Sequence, residues 1–185
     1  MHGIFHRALK QLVIDERGAA RWAALEAEEN VGPRDQIGFD SYPDMLTFRL
    51  CEAAAGALDM SMDELLRKFG QYWVSYSFSG SYADAMTYTG RTLHEFLGNL
   101  DRLHWGVATM FPKAKVPSFG LEELPEGLCV VYRSSRQGLE PMMIGLLEGL
   151  LDHFGHEGTV RQLAVEEGSV RFLVTLQDRT QADAA

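Results

Sequence analysis

Two short groups of polar residues stand out because their types and spacing could bind a cofactor. The first is His104, in the segment Leu100-Asp101-Arg102-Leu103-His104, where apolar residues at helical spacing predict one buried helix face. An imidazole on such a face can bind a metal, although a histidine there is more commonly a half-exposed surface side chain. His104 alone therefore leaves both interpretations open.

The second group is Tyr132, Ser134 and Arg136. In a strand, side chains two positions apart point to the same side of the sheet, so these three would form a row. Two hydroxyls and a guanidinium can together donate several hydrogen bonds to a carboxylate, and the guanidinium can bind both of its oxygens. A polar strand face in water would have the same pattern, so this group on its own does not decide between the two.

Helical patterns dominate the first half of the chain. The predicted helices cover residues 4–13, 22–25, 44–57, 61–78 and 101–111. Ser61 with Glu64, and Thr92 with Glu95, match the capping-box pattern that begins a helix. The segment 46–50 could also alternate as a strand.

The second half mixes strand and helix patterns. Alternating residues predict strands over 128–135, 160–166 and 170–177, and the last two are joined by a hairpin at 167–169. Between them, residues 139–154 form a predicted helix that is apolar on nearly every side and should be buried. These patterns predict an α+β fold, with a helical N-terminal half packed on a C-terminal half that contains an antiparallel sheet.

The composition limits the classes of function. The chain has 185 residues, 46% of them hydrophobic, which suits one domain with a sizeable core. With 17 basic and 26 acidic residues, its net charge of −9 disfavours a nucleic-acid partner. No apolar run could cross a membrane, no secretory signal is visible, and Cys51 and Cys129 are far apart, as reduced thiols commonly are. A cytoplasmic protein is therefore expected.

Motifs of the common enzyme classes are absent from the sequence. It contains no nucleophile elbow, no phosphate-binding loop, no dinucleotide-binding turn and no zinc-protease motif. His153 and His156 have the spacing of metal ligands on a helix, but no further ligands accompany them. The sequence therefore predicts a binding protein rather than an enzyme.

Taken together, the two polar groups resemble the haem nitric oxide/oxygen-binding (H-NOX) family, which includes the haem domains of soluble guanylate cyclases. The resemblance rests on the histidine in Leu-x-x-Leu-His, on Phe111-Pro112 and Pro117-Ser118-Phe119 after it, and on Tyr-x-Ser-x-Arg about 28 residues past the histidine. Further matching segments extend it over nearly the whole chain: Met1-x-Gly3, Phe69-Gly70-x-Tyr72-Trp73 and residues 138–149.

The resemblance implies a single haem-binding domain over residues 1–178, followed by a flexible tail over residues 179–185. Haem b would be buried between a helical N-terminal part, residues 1–60, and a haem-anchoring part, residues 61–178. The antiparallel sheet of the second part would have about four strands.

The family's site residues are carried over by matching motifs. By this resemblance, His104 is the axial ligand of the haem iron, and Tyr132, Ser134 and Arg136 bind the haem propionates. Pro117 would press on the porphyrin and help to distort it. The residues expected in the distal pocket, on the other side of the haem, are Phe5, Leu9, Trp73 and Met142.

The distal side is expected to decide which gas binds. Relatives that hold oxygen stably carry a tyrosine at the position that matches Pro141 here. Bound oxygen favours a hydrogen-bond donor, which NO and CO need less, so the ferrous haem is expected to bind NO and CO and to exclude oxygen. Trp73, Tyr72 or Tyr76 could supply a donor instead, and oxygen would then bind.

The resemblance implies a switch rather than turnover. Gas binding would weaken or break the bond between iron and His104, and the helix that bears His104 would move. Since the sequence ends shortly after the last predicted strand, the signal is expected to pass to a separate protein. In stand-alone bacterial relatives this effector is a histidine kinase or a cyclic-di-GMP enzyme (a diguanylate cyclase or phosphodiesterase). A peroxidase, a haem carrier and a haem-free interaction module are the alternatives.

Overall fold

The computed structural model describes residues 3–32, 40–166 and 168–177, which form helices and strands in the order α1–α6, β1, β2, α7, β3, β4. The helices are α1 (Gly3–Arg17), α2 (Ala19–Glu28), α3 (Asp44–Ala57), α4 (Met62–Ser79), α5 (Ala83–Thr89), α6 (Leu93–Met110) and α7 (Glu140–His153). The strands are β1 (Ser118–Leu124), β2 (Gly127–Arg133), β3 (Gly158–Glu166) and β4 (Ser169–Leu176). Met1 of the N-terminal motif and the predicted tail lie outside the described residues.

The first four helices confirm the helical patterns of the N-terminal half. At the start of α4, the Ser61 hydroxyl accepts a hydrogen bond from the Glu64 amide at 3.3 Å, and the Glu64 carboxylate accepts one from the Ser61 amide at 2.8 Å. This is the predicted capping box. The segment 46–50 is helical, so the strand alternative is wrong; the buried residues Thr47, Leu50, Cys51 and Ala54 recur at helical spacing.

One long helix, α6, replaces the shorter helix predicted from residue 101. The Thr92 hydroxyl caps it by accepting from the Glu95 amide at 3.2 Å, whereas the Glu95 carboxylate accepts from the Arg91 amide, one residue earlier than a capping box requires. Helix α5 and strand β1 were not predicted, because α5 has only seven residues and β1 does not alternate polar and apolar residues.

The four strands form one antiparallel sheet in the order β1-β2-β4-β3. Strand β2 therefore lies inside the sheet, and Phe119 of β1 pairs with Tyr132 of β2. Because β2 ends at Arg133, the prediction that the strand continues through Ser134 and Ser135 is wrong. None of the described helices is long and apolar enough to cross a membrane.

Helices α4 and α7 are in backbone contact through glycines. A Cβ atom placed on Gly145 would lie 1.9 Å from the Arg67 carbonyl oxygen, and one placed on Gly70 would lie 2.3 Å from the Met142 carbonyl oxygen. At the exposed edge of this contact, the Arg67 guanidinium binds the Glu148 carboxylate through two nitrogens. The two helices therefore join the N-terminal and C-terminal halves.

The buried apolar side chains form two clusters. The N-terminal cluster contains residues of α1–α4 together with Leu139 and Met142. The C-terminal cluster contains residues of α6, β2, β4 and α7, including Leu100 and Tyr132. Leu146 of α7 packs against both clusters, so the boundary between them runs along α7. Met142 of the N-terminal cluster and Tyr132 of the C-terminal cluster are both candidate site residues.

Candidate functional site

The ring of His104 is held in one orientation by its own helix. Its Nδ1 atom lies 2.8 Å from the Leu100 carbonyl oxygen. Because that oxygen can only accept, Nδ1 must carry the proton, and Nε2 keeps its lone pair. Burial lowers the pKa of the imidazole below its usual 6.5, although the hydrogen bond to Leu100 and the charge of Asp101 oppose this effect. His104 is therefore neutral near pH 7, with Nε2 able to bind a metal.

Strand β1 connects His104 to the polar group on β2. The Phe119 ring lies 4.7 Å from the His104 ring and 5.6 Å from the Tyr132 ring, between ring centres. The Phe119 amide donates to the Asp101 carboxylate at 2.8 Å, which fixes β1 against α6. A displacement of α6 would therefore shift the Phe119 ring and, through it, the Tyr132 ring.

Tyr132, Ser134 and Arg136 come together, but not as a row along one strand. Tyr132 is the last buried residue of β2, whereas Ser134 and Arg136 lie beyond the end of the strand. The Ser134 hydroxyl accepts from the Arg136 amide at 3.0 Å, and it is close enough to the Tyr132 phenol to oppose the increase that burial produces in the pKa of Tyr132. The predicted grouping is present, and a turn held by Ser134 produces it in place of strand alternation.

The Arg136 guanidinium bridges three parts of the molecule. Its Nη1 atom donates to the Lys115 carbonyl oxygen at 2.6 Å, and its Nε atom lies 3.0 Å from a carboxylate oxygen of Asp44 in α3. The Nε–H is buried and has no acceptor in line with it, so the contact with Asp44 is an ion pair without a well-directed hydrogen bond. A carboxylate ligand placed here could use the donors that remain.

The four residues expected in the distal pocket belong to the N-terminal cluster. Leu9 is fully buried, Phe5 and Met142 are nearly so, and Trp73 is half-buried. The Phe5 and Trp73 ring centres are 6.0 Å apart, with Phe69 packed edge-on against both rings. The structure brings Phe5 and Trp73 into one aromatic group with Phe69, to which sequence analysis gave no role.

The tyrosines near Trp73 differ in their surroundings. The Tyr72 hydroxyl donates to the Asp15 carboxylate of α1 at 2.7 Å, on an exposed edge of the molecule. Burial and the Asp15 carboxylate raise the pKa of Tyr72. The Tyr76 ring stacks on Tyr72 with ring centres 6.2 Å apart. The Tyr72 phenol is therefore already hydrogen-bonded to Asp15 at the surface of the molecule.

Pro117 lies half-buried between α6 and β1, two residues before Phe119. In the sequence Phe119 is recognisable only as part of a motif, and the contacts of Asp101, Asp44 and the Lys115 carbonyl were not predicted. Asp101 lies three residues before His104, which is a local signal; Asp44 is 92 positions from Arg136 (136 minus 44), and nothing in the sequence connects them.

The donor set suits a planar metal macrocycle that carries carboxylates. His104 offers one neutral nitrogen, and Tyr132, Ser134 and Arg136 offer hydroxyl and guanidinium groups. Tyr132 belongs to the C-terminal cluster, and Phe119, which contacts both the Tyr132 and His104 rings, packs against it, so apolar side chains are available to cover one face of such a ring. The residues present therefore fit a haem.

Comparisons with known proteins agree with this chemistry. Residues 2–162 match the protein-family model described as Haem-NO-binding. Curated relatives include soluble guanylate cyclase gcy-32 of Caenorhabditis elegans, 27% identical over 185 residues, and soluble guanylate cyclase 89Da of Drosophila melanogaster, 28% identical over 159 residues. These matches cover 98% and 83% of this chain but 25% and 23% of the cyclases, so the chain spans about a quarter of their length.

Solved structures with the same fold include an H-NOX protein from S. oneidensis. A mutant of it in the Fe(II) ligation state is 20% identical, with a TM-score of 0.85 and coverage of 96% of this chain and 97% of that chain. Its Fe(II)NO state is 21% identical, with a TM-score of 0.83 and coverage of 96% and 100%. At this identity the similarity establishes the fold, and the predicted α+β architecture is confirmed.

Proposed function

Because the chain belongs to the haem-NO-binding (H-NOX) family, we propose that it binds NO and CO at a ferrous haem, excludes oxygen and signals to a separate protein. Membership of this family agrees with the prediction that the chain is a sensor domain and not an enzyme. The observation that carries the proposal is the 2.8 Å hydrogen bond between His104 Nδ1 and the Leu100 carbonyl oxygen, because it leaves Nε2 free for iron.

His104 is the proposed axial ligand. When bound, haem b would supply the iron that takes a gas molecule. The Leu100 carbonyl holds the tautomer that iron needs, and burial keeps the imidazole neutral. Since His104 lies within α6, a change in its attachment would move that helix together with Phe119, which Asp101 fixes to it.

Tyr132, Ser134 and Arg136 are the proposed propionate ligands. Burial raises the pKa of the Tyr132 phenol, so Tyr132 stays a hydrogen-bond donor at neutral pH. Arg136 supplies a fixed positive charge, and its contacts with Lys115 and Asp44 already orient it. Pro117, in the segment that leads to Phe119, is proposed to press on the porphyrin; this role rests on the family resemblance.

Phe5, Leu9, Trp73 and Met142 are proposed to line the distal pocket and to set its selectivity. Their side chains are apolar apart from the indole N–H of Trp73, and Tyr72 is engaged by Asp15. A pocket poor in donors stabilises oxygen less than NO or CO. If Trp73 or Tyr76 turned a donor inward, the chain would bind oxygen instead, which is the second candidate function.

The effector is proposed to be a histidine kinase or a cyclic-di-GMP enzyme in the cytoplasm. This part of the proposal comes from stand-alone bacterial relatives, and the absence of a catalytic motif in this chain is compatible with it. A gas shifts such a switch only through different affinity for its two states, and different attachment of His104 would provide that difference.

Visible spectra of the purified protein test the proposal. The protein is loaded with haem, reduced without air, and measured alone, in air and with NO. We expect a ferrous spectrum that NO changes and air leaves unchanged. His104→Gly should lose this spectrum and regain it with added imidazole, whereas His94→Gly should keep it, because His94 is an exposed residue of the same helix that pairs with Glu123.

Each alternative has its own outcome. A spectrum that changes reversibly in air would mean that a distal donor stabilises oxygen, and the selectivity proposed here would be wrong. Peroxide-driven oxidation well above that of free haem would indicate a peroxidase. Rapid transfer of haem to apomyoglobin would indicate a haem carrier. Protein that stays colourless after haem addition would leave the haem-free interaction module.

A further inference from the structure

The exposed face of α6 carries an aromatic side chain that no described residue covers. Leu100 and His104 point toward the core, whereas Arg102, Trp105 and Thr109 follow each other at spacings of three and four on the outer face. Trp105 is 70% exposed, and Met110, the last residue of the same helix, is 68% exposed. A large apolar side chain in this position gives up the free energy that its burial would provide, so the face resembles a contact surface.

The same part of the chain is locally basic in an acidic protein. The net charge is −9, yet residues 102–121 include Arg102, Lys113 and Lys115 and no Asp or Glu. None of these three cations takes part in an ion pair with a described residue. The neighbouring carboxylate, Asp101, accepts from the Phe119 amide at 2.8 Å. Within the part of the chain that the structure describes, the positive charge of this face is therefore left without an ion-pair partner.

We propose that this face, the Trp105 surface, is the docking site for an acidic and partly apolar face of a partner protein. It consists of Arg102, Trp105, Thr109, Met110 and Lys113. Tryptophan and arginine are enriched at the centres of protein interfaces, where a few side chains dominate the affinity. The inference rests on the proposed function, because the partner would contact the helix that holds His104 on its other side.

Charge favours a partner protein over other occupants. An anionic membrane or a nucleic acid would attract the three cations but would be repelled by the net charge of −9. A second copy of this chain carries the same basic face, so two such faces would repel each other across a two-fold axis. A partner protein needs no more than a local acidic face.

A synthetic peptide provides the probe. The probe has about 20 residues, with leucine at helical spacing and glutamate or alanine elsewhere, so that it can form an amphipathic acidic helix. Its binding to the haem-loaded protein is measured by fluorescence anisotropy. We expect saturable binding that weakens at least about tenfold in Trp105→Ala and in Lys113→Glu. The same peptide with lysine in place of glutamate should not bind.

Two matched variants control for general effects of exposure and charge. Tyr88→Ala removes an aromatic residue that is 85% exposed on α5, and Arg7→Glu reverses an exposed charge on α1; both should bind the peptide as the unaltered protein does. Equal affinity in all four variants would overturn the proposal. So would binding to phosphatidylserine vesicles without peptide binding, or self-association that Trp105→Ala abolishes. Spectra with and without NO, recorded on each variant, report separately on the proposed function.

Discussion

Single hydrogen bonds define the chemistry of the site at the scale of residues. At His104 the carbonyl of the preceding turn selects the tautomer, and at Arg136 the Lys115 carbonyl and Asp44 orient the guanidinium before any ligand arrives. Groups oriented in advance lose less conformational entropy when a ligand binds. Two predictions follow from side chains whose surroundings are equally well defined.

The first concerns Tyr132 at high pH. Burial raises the pKa of this phenol, as does Glu140, while Ser134 and Arg136 oppose the increase. The unfolded chain, with a tyrosine pKa near 10, therefore loses this proton first as the pH rises. The resulting stabilisation is present below about pH 10 and is lost as the pH rises through the pKa of the folded protein. The free energy of unfolding should thus fall more steeply above pH 10 in the unaltered protein than in Tyr132→Phe.

Urea unfolding of the haem-free protein at a series of pH values measures this difference. The comparison with Tyr132→Phe removes contributions from other groups, such as Cys51, whose pKa burial raises to about 12. Parallel curves for the two proteins between pH 9 and about 12 would show that Tyr132 ionises as readily folded as unfolded.

The second residue-scale prediction concerns Pro141, in the first turn of α7 beside Met142. Oxygen-binding relatives carry a tyrosine at the matching position. Pro141→Tyr should therefore supply the missing donor and produce a spectrum that changes reversibly in air, whereas Pro141→Phe adds a ring of similar size without the hydroxyl and should not. If both variants responded to air alike, the ring and not the donor would be responsible.

At the scale of elements, the contact between α4 and α7 restricts the sequence most strongly, because the two backbones lie so close that a side chain larger than glycine does not fit. Gly145→Ala would place a Cβ atom 1.9 Å from the Arg67 carbonyl oxygen, so the helices must separate. We expect a loss of about 1–3 kcal/mol in the free energy of unfolding, as for other overpacked sites. The displaced α7 should also carry Met142 away and weaken haem retention, which haem transfer to apomyoglobin measures.

Gly56→Ala provides the matched control. Gly56 is an exposed residue in the last turn of α3, and a Cβ atom there would meet nothing within 4 Å. Alanine favours a helix interior over glycine by about 0.8–1 kcal/mol and a last turn by less, so this variant should be at least as stable as the unaltered protein. Equal effects of the two substitutions would mean that helix propensity and not close packing determines the stability at Gly145.

Helices and strands in which apolar residues repeat at regular helical or strand spacing were predictable from the sequence. The apolar faces of α1, α3 and α4 and the alternation of β2 and β4 correspond to the predicted segments. Helix α5 was not predictable, because it is too short to show a repeat of apolar residues. Strand β1 was not predictable either, because it forms by pairing with β2 and by the hydrogen bond from the Phe119 amide to Asp101. The sheet pairing that forms β1 depends on tertiary contacts that no local pattern records.

The candidate site could be proposed from the sequence where its residues lie close together in the chain. His104 lies on a regular helix, and the Tyr-x-Ser-x-Arg segment is short enough to be seen as one unit. The arrangement of that segment was not predictable in detail, since β2 ends at Arg133 and a turn gathers the three side chains. The contact of Arg136 with Asp44 joins α3 to the segment after β2, and only the fold brings them together.

At the scale of the whole molecule, two apolar clusters meet along α7, with the proposed ligands of iron and propionates on the C-terminal side and the proposed distal residues on the N-terminal side. A haem bound to both sides would connect the clusters through contacts that the haem-free chain lacks. Because a ligand that binds only the folded state stabilises it, haem loading should raise the free energy of unfolding by about 4 kcal/mol when free haem exceeds its Kd a thousandfold.

The size of this increase tests whether both halves hold the haem. Arg136→Ala removes a proposed propionate ligand on the C-terminal side, and Phe5→Ala removes a ring on the N-terminal side; both should reduce the increase at the same haem concentration. Tyr88→Ala, far out on α5, should leave it unchanged. Urea unfolding of each protein with and without haem separates this effect from any change in the haem-free stability. If Arg136→Ala reduced the increase and Phe5→Ala did not, the haem would lie against the C-terminal cluster alone. A movement of α6 could then not reach the N-terminal half through the haem.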